Sequence, residues 1–243
     1  MSTFVLVHGA MHGGWCWRDV SARLRAAGHT VHTPTLTGQG DRRHQLTRDV
    51  GISTHVDDLT ELLWFEDLRD VYLGLHSYSG VLAGPVVEHC HERIAAVLYL
   101  GAFLVRSGEC LLDVEPPETA TRYQDLAASQ GDGYRIPATD AFLDQWGVTD
   151  AAARAWVGPR LTDFPLKCAT DIVTYEESVL AATRQVYVRH TNPPLGNLDV
   201  SWSRAAAAGW ETHDLACGHD LMLAAPDETS DVLIRCARPP QRG

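Results

Sequence analysis

Apolar residues in this chain cluster in short unbroken runs, each halted by glycine, proline or small polar residues. Thr3–Val7, Thr30–Pro34, the run Val71-Tyr72-Leu73-Gly74-Leu75 and its continuation to Ser77, Ala95–Leu100, Val186–His190 and Glu211–Leu215 read as strands. Most of them lack polar alternation, which is the pattern of strands covered on both faces. Between them the spacing switches to a helical period. Trp17, Val20 and Leu24 predict a helix over Cys16–Ala27 closed by Gly28, and Val56, Leu59, Leu62 and Leu63 predict another over Thr54–Glu66. Val81–Cys90, a stretch near Val200–Ala208, and Pro226–Cys236 complete the helical set. Strand–helix alternation of this kind predicts an α/β fold: a mostly parallel sheet of about six strands with helices on both faces.

The rhythm stops from 105 to 182. Helix-like pieces around Arg122–Ser129, Thr139–Trp146 and Asp150–Val157 are separated by Pro116-Pro117 and Gly131-Asp132-Gly133. The expected organisation is a core of 1–104 and 183–243 carrying 105–182 as an inserted helical lid. Phe142, Trp146, Trp156 and Phe164 either line an apolar pocket that accepts aromatic groups or pack the insertion's own small core. The loop Thr35–Leu46, with Asp41-Arg42-Arg43-His44, reads as solvated, and the tail Ala237–Gly243 as disordered.

Composition narrows the partners. The chain has 243 residues, 45% of them hydrophobic, and a net charge of −11, which disfavours nucleic acid and anionic membrane surfaces. No basic leader or bilayer-length apolar window is present, and the six cysteines show no CxxC pairing or metal-ligand spacing. The expectation is a reduced cytoplasmic protein with no metal or cofactor, acting on a small apolar or aromatic molecule. The oligomeric state is left open, a homodimer included.

The candidate chemistry begins at Leu75-His76-Ser77-Tyr78-Ser79. A serine at a tight strand-to-helix turn has its hydroxyl pushed clear of the sheet, beside the free N–H groups of the helix start. This nucleophile elbow is usually G-x-S-x-G. Ser79 keeps a small residue at the last place, Leu75 does not at the first, and Gly74 stands one position earlier. A base is expected after the last strand, and His219 in Ala216-Cys217-Gly218-His219-Asp220 has that position in the chain order serine, acid, histidine. The backbone N–H groups of Tyr78, directly after the serine, and of Ala10, in the glycine-rich loop after the first strand, would hold the developing oxyanion.

Phe4-Val5-Leu6-Val7-His8-Gly9-Ala10, His12-Gly13, Trp15, His76-Ser77-Tyr78 and Gly218-His219-Asp220 together resemble the α/β-hydrolase superfamily. The resemblance spans nearly the whole chain and is nearest to plant esterases similar to hydroxynitrile lyases, with their bacterial relatives. Pro34-Thr35-Leu36-Thr37-Gly38 and Trp156-Val157 with Pro159-Arg160-Leu161 also look like that branch. The resemblance implies a substrate-contacting position at Gly9. The lyases of the branch carry threonine there and lysine after the catalytic histidine, so Gly9 and Asp220 disfavour cyanohydrin cleavage. It also implies a triad aspartate after the strand ending near His190, where this chain has Thr191-Asn192-Pro193-Pro194-Leu195-Gly196-Asn197-Leu198-Asp199. Asn192 carries no charge, Asp199 reads better as a helix N-cap, and the alternative site at Leu100-Gly101-Ala102 offers no acid. The leading expectation is a serine hydrolase of a small ester, thioester or lactone. The second is a lyase, dehydratase or cyclase tailoring a polyketide-like product with His219 as base. The third is a catalytically degenerate binder.

Overall fold

The computed structural model describes residues 1–237. In chain order its core elements are β1 (Thr3–Val7), α1 (Arg18–Ala26), β2 (Thr30–His32), α2 (Ile52–Phe65), β3 (Val71–His76), α3 (Ala83–Cys90) and β4 (Ile94–Leu100). An insertion follows, with α4 (Pro117–Gln130), β5 (Arg135–Ile136), α5 (Asp140–Gln145), α6 (Ala151–Val157), β6 (Phe164–Pro165), α7 (Lys167–Thr170) and α8 (Glu177–Ala182). The core resumes with β7 (Arg184–His190), α9 (Asp199–Ala207), β8 (Glu211–Leu215), α10 (Leu221–Ala224) and α11 (Pro226–Cys236).

Six strands form one parallel sheet in the order β2-β1-β3-β4-β7-β8. The insertion adds no strand to it, because β5 and β6 pair only with each other. The apolar runs explain the two-sided burial. Val5, Val7, Val97, Tyr99 and Tyr187 face one core layer, while Phe4, Leu6, Ala96, Leu98, Val186 and Val188 face the other. Side chains alternate across a strand, so an unbroken apolar run fills both layers at once. β8 is an edge strand and is mostly exposed. Arg189 pairs with Asp214 at 2.8 Å and Arg184 with Glu211 at 2.6 Å, which charges that edge against pairing with another chain.

The chain order reverses between β1 and β3, which leave the sheet centre in opposite directions. In open parallel sheets, ligands gather at the carboxyl ends of the strands beside such a reversal. The loops after β1, β3, β4, β7 and β8 all open there.

Three expectations change. The loop 35–46 is not simply solvated: Gln39 and Gly40 are buried, and Gly40–Gln45 forms a short 3-10 helix. Asp199 is the first residue of α9 rather than its N-cap; Leu198 holds that place and no side chain caps the helix. The tail expectation covers 238–243, which lie outside the described residues, while Ala237 is buried and caps α11. All six cysteines are buried and unpaired. Among the described residues no helix is long and apolar enough to cross a membrane.

Candidate active site

β3 ends at His76, and the chain turns at once into the 3-10 helix Ser77–Leu82 that leads to α3. Ser77 sits at the apex with φ +54°, a left-handed conformation that costs a non-glycine residue about 1–3 kcal/mol. Ser79 supports the turn, its Oγ donating to the His76 carbonyl at 2.8 Å, and the Phe103 amide donates to the Ser77 carbonyl at 3.0 Å. Leu75 at the first elbow position is fully buried in the core, and Gly74 makes room for Leu6 of the neighbouring strand: a Cβ there would lie 2.7 Å from its Cδ2.

His219 comes from the loop after β8 and places Nε2 2.9 Å from the Ser77 Oγ. Its backbone is gripped on both sides. The amide donates to the Trp146 carbonyl at 3.1 Å, and His76 Nε2–H donates to the His219 carbonyl at 3.0 Å. Burial, reinforced by the neighbouring His76, His190 and His12, holds its pKa well below the usual histidine range. The imidazole is therefore neutral at pH 7 and free to accept a proton. For Ser77 to donate to Nε2, the ring proton must sit on Nδ1. That atom is buried and has no hydrogen-bond partner among the described residues. A Cβ on Gly101 would come within 3.6 Å of it and 2.9 Å of His190 Nδ1, and the His190 ring packs edge-on to His219 at 4.9 Å. Among the described residues no carboxylate bonds to Nδ1. Asp199 is exposed, and no bond joins it to His219.

Asp220 points elsewhere. Its carboxylate lies 3.4 Å from His12 Nε2, and His12 Nδ1–H donates to the Ala10 carbonyl at 2.8 Å. Burial alone would lower the His12 pKa, but the Asp220 carboxylate outweighs it and raises it. Burial likewise opposes the Asp220 charge, and His12 outweighs that. The pair ties the loop carrying His219 to the loop after β1.

That first loop presents the Ala10 amide, and the elbow presents the Tyr78 amide. Neither donates to an acceptor among the described residues. The Met11 amide is taken by Gln39 Oε1 at 2.7 Å, and the Met11 carbonyl accepts from Thr162 N–H at 2.9 Å. Tyr78 is fixed through its phenol, which donates to His55 Nδ1 at 2.9 Å while His55 Nε2–H donates to the Thr37 carbonyl at 2.8 Å. Sequence reasoning missed Gln39, His55 and the His12–Asp220 pair. Only His55 left a signal, a polar residue inside the buried stripe of Ile52, Val56 and Leu59.

Ala10, Ser77, Tyr78 and His219 line one cavity with Phe142, Trp146, Phe164, Ile136, Phe103 and Glu115. Its free volume is about 30 Å³, room for one or two water molecules. A roomier groove of about 570 Å³ between α3, α8 and α9 contains none of the four. Trp156 is outside the cavity; it packs edge-on against Trp15 at 5.2 Å, with the Arg18 and Arg160 guanidinium groups over its ring.

Gly9, where a substrate contact was expected, packs behind Ser77. A Cβ there would lie 2.8 Å from the Ser77 Cβ and 2.9 Å from His76 Nδ1, and Gly9 does not line the cavity. Gly9→Ala must push the elbow outward. Overpacking of this kind costs about 1–3 kcal/mol. The expected result is a lowered melting temperature together with a turnover loss of about tenfold or more from the misplaced hydroxyl. Wild-type values for both would show that the elbow has room to spare.

The alpha/beta hydrolase family profile matches residues 4–232. A carbendazim-hydrolysing esterase from Nocardioides sp. (strain SG-4G) is 34% identical over 96% of this chain and 98% of its own length. Rice (Oryza sativa subsp. japonica) esterase PIR7B is 27% identical over 96% of this chain and 95% of its own. Among solved structures, an extracellular alpha/beta-hydrolase from a Paenibacillus species superposes with a TM-score of 0.88 at 20% identity, covering 98% of this chain and 100% of that one, which is a likeness of fold. With an elbow serine, a histidine after the last strand and two free amides beside them, the chain belongs to the alpha/beta hydrolase family and is an enzyme of its esterase branch.

Proposed function

We propose that the chain hydrolyses a small, apolar or aromatic carboxylic ester, thioester or lactone through an acyl-enzyme on Ser77. The observation that carries this reading is the 2.9 Å approach of His219 Nε2 to the Ser77 Oγ, with the Ala10 and Tyr78 amides unengaged on the same cavity. Ser77 Oγ attacks the ester carbonyl carbon and its proton passes to His219 Nε2. The carbonyl oxygen becomes an oxyanion held by the two amides, each donor contributing about 3 kcal/mol to the transition state. Collapse breaks the ester bond, the alcohol leaves with the proton from Nε2, and water repeats the sequence on the acyl-enzyme.

The insertion serves as a lid in this account. A cavity of about 30 Å³ must open before an ester enters, and Phe142, Trp146 and Phe164 on its wall come from the insertion. A panel of short-chain p-nitrophenyl esters tests the reading. A burst of p-nitrophenol equal to the enzyme concentration, or steady turnover at a mixing-limited first cycle, is the expected outcome. Folded enzyme that turns over none of the panel would count against it.

A second reading is favoured by one observation, the lack of a partner for His219 Nδ1 among the described residues. A carboxylate there stabilises the imidazolium, and its loss costs about four orders of magnitude in turnover. An enzyme that uses His219 as a general base without forming an acyl-enzyme needs that help less, as in a lyase or dehydratase. The two readings part at Ser77.

A further inference from the structure

Glu115 is 7% exposed and lines the same cavity as Ser77 and His219, among aromatic side chains. Its Oε2 accepts from Asn197 Nδ2–H at 2.6 Å and its Oε1 from the Tyr123 hydroxyl at 3.4 Å. Among the described residues no guanidinium or ammonium pairs with it. Asn197 also reaches Thr119 Oγ1 at 3.3 Å. A carboxyl group in an apolar slot, met only by neutral donors, is costly to keep. Burial pushes its pKa up to about 7, although Asn197, Tyr123 and Arg122 draw it down. Each carboxylate oxygen has lone pairs beyond the single bond it accepts, and they can take a donor brought by a ligand.

We propose that Glu115, held by Asn197 and Tyr123, is the specificity-determining acceptor of this pocket, selecting planar esters that carry an N–H or O–H donor at the end remote from the carbonyl. The proposal rests on the ester reading for the identity of the reacting group, but recognition by Glu115 can be measured without turnover. The aromatic walls take the flat body of the substrate, and Glu115, ionised above about pH 7, supplies the charged acceptor among the residues that line the cavity. A site built to hydrogen-bond a donor rejects the analogue lacking it far more strongly than an apolar pocket rejects a change of size.

Glu115 also bridges the insertion to the loop before α9, so a purely structural role is the competing account. Matched ligands separate the two. The probes are the methyl esters of an indole carboxylic acid and of the corresponding benzofuran carboxylic acid, with the carboxyl on the six-membered ring. They differ by N–H against O at nearly constant shape. Dissociation constants are measured calorimetrically at pH 8 on Ser77→Ala, which binds without cleaving. The expected result is at least about tenfold tighter binding of the indole ester, a preference abolished by the further change Glu115→Met. Equal binding of the two esters, a preference that survives Glu115→Met, or no binding of either at millimolar concentration would overturn the proposal. If Glu115 only pins the insertion, its loss weakens both esters alike. Should Glu115→Met not fold, the comparison of the two esters on the intact pocket still decides. Failure of the wild type to cleave either ester, with the binding preference intact, would remove the ester reading and leave the recognition standing.

Discussion

Ser77→Ala is expected to lower kcat/KM for a good ester by about a hundredfold to a thousandfold, and His219→Ala by the same factor. The size follows from the missing carboxylate. In a complete triad, removing serine, histidine or all three costs about a millionfold, while removing the acid alone costs about ten thousandfold to thirty thousandfold. The difference, about two orders of magnitude, is what a serine and a histidine still contribute when no acid supports them. His219 Nδ1 has no acceptor among the described residues, so this enzyme starts from that reduced level. The pair acts as a unit, so Ser77→Ala combined with His219→Ala should lose no more than either change alone. A residual rate above the uncatalysed reaction should persist, because the Ala10 and Tyr78 amides are untouched. If Ser77→Ala keeps most of the activity while His219→Ala loses it, the histidine works alone and the second reading is correct. A loss near a millionfold would instead mean that something else does the work of the acid.

Acidification is expected to unfold the protein cooperatively near pH 5, with the uptake of several protons. Burial depresses His8 to about 3 and His55, His76 and His190 to about 4, and holds His219 well below its ordinary value. The sign is set by these depressed values. Below pH 6.5 the unfolded chain binds protons that the native protein refuses, so stability is complete above that pH and falls as pH drops. Each such histidine removes about 1.4 kcal/mol per pH unit, so His8, His55, His76 and His190 together remove about 8 kcal/mol by pH 5, and His219 acts in the same direction; the sum is comparable with the whole stability of an ordinary domain. His12 has a raised pKa and contributes in the opposite sense, but only above pH 6.5. Circular dichroism from pH 8 to pH 4, with proton uptake measured by calorimetry in buffers of different ionisation enthalpy, checks this. A native protein at pH 4 that has taken up no protons would contradict it.

The strands, the helices and the elbow were readable because each rests on local rules: a two-residue period, a helical period, a small residue at a tight turn. The place of His219 beside Ser77 was readable from chain order. What escaped the sequence depends on side chains meeting across long separations. Gln39 lies in a stretch with the composition of a solvated loop, yet its side chain reaches the Met11 amide and turns the loop after β1 into place. Glu115 and Asn197 are separated by 82 positions and belong to different parts of the fold. Trp156 fits neither alternative the sequence offered for it, the pocket or the insertion's own core, because Trp15 and Arg18 of the first part of the chain pack on it together with Arg160. That the acid after β7 was in doubt, with Asp199 the one carboxylate of the stretch Thr191–Asp199, was visible in the sequence. That its place beside Nδ1 is taken by Gly101 and His190 was not.

Ester cleavage by this chain requires that Ser77 be a nucleophile activated by His219. Intact-protein and peptide mass spectrometry after treatment with a fluorophosphonate measures this directly. The predicted result is one adduct per chain, on Ser77, abolished in Ser77→Ala and slowed about a hundredfold or more in His219→Ala. A folded wild-type protein that stays unlabelled, or one labelled as fast without His219 as with it, would contradict it.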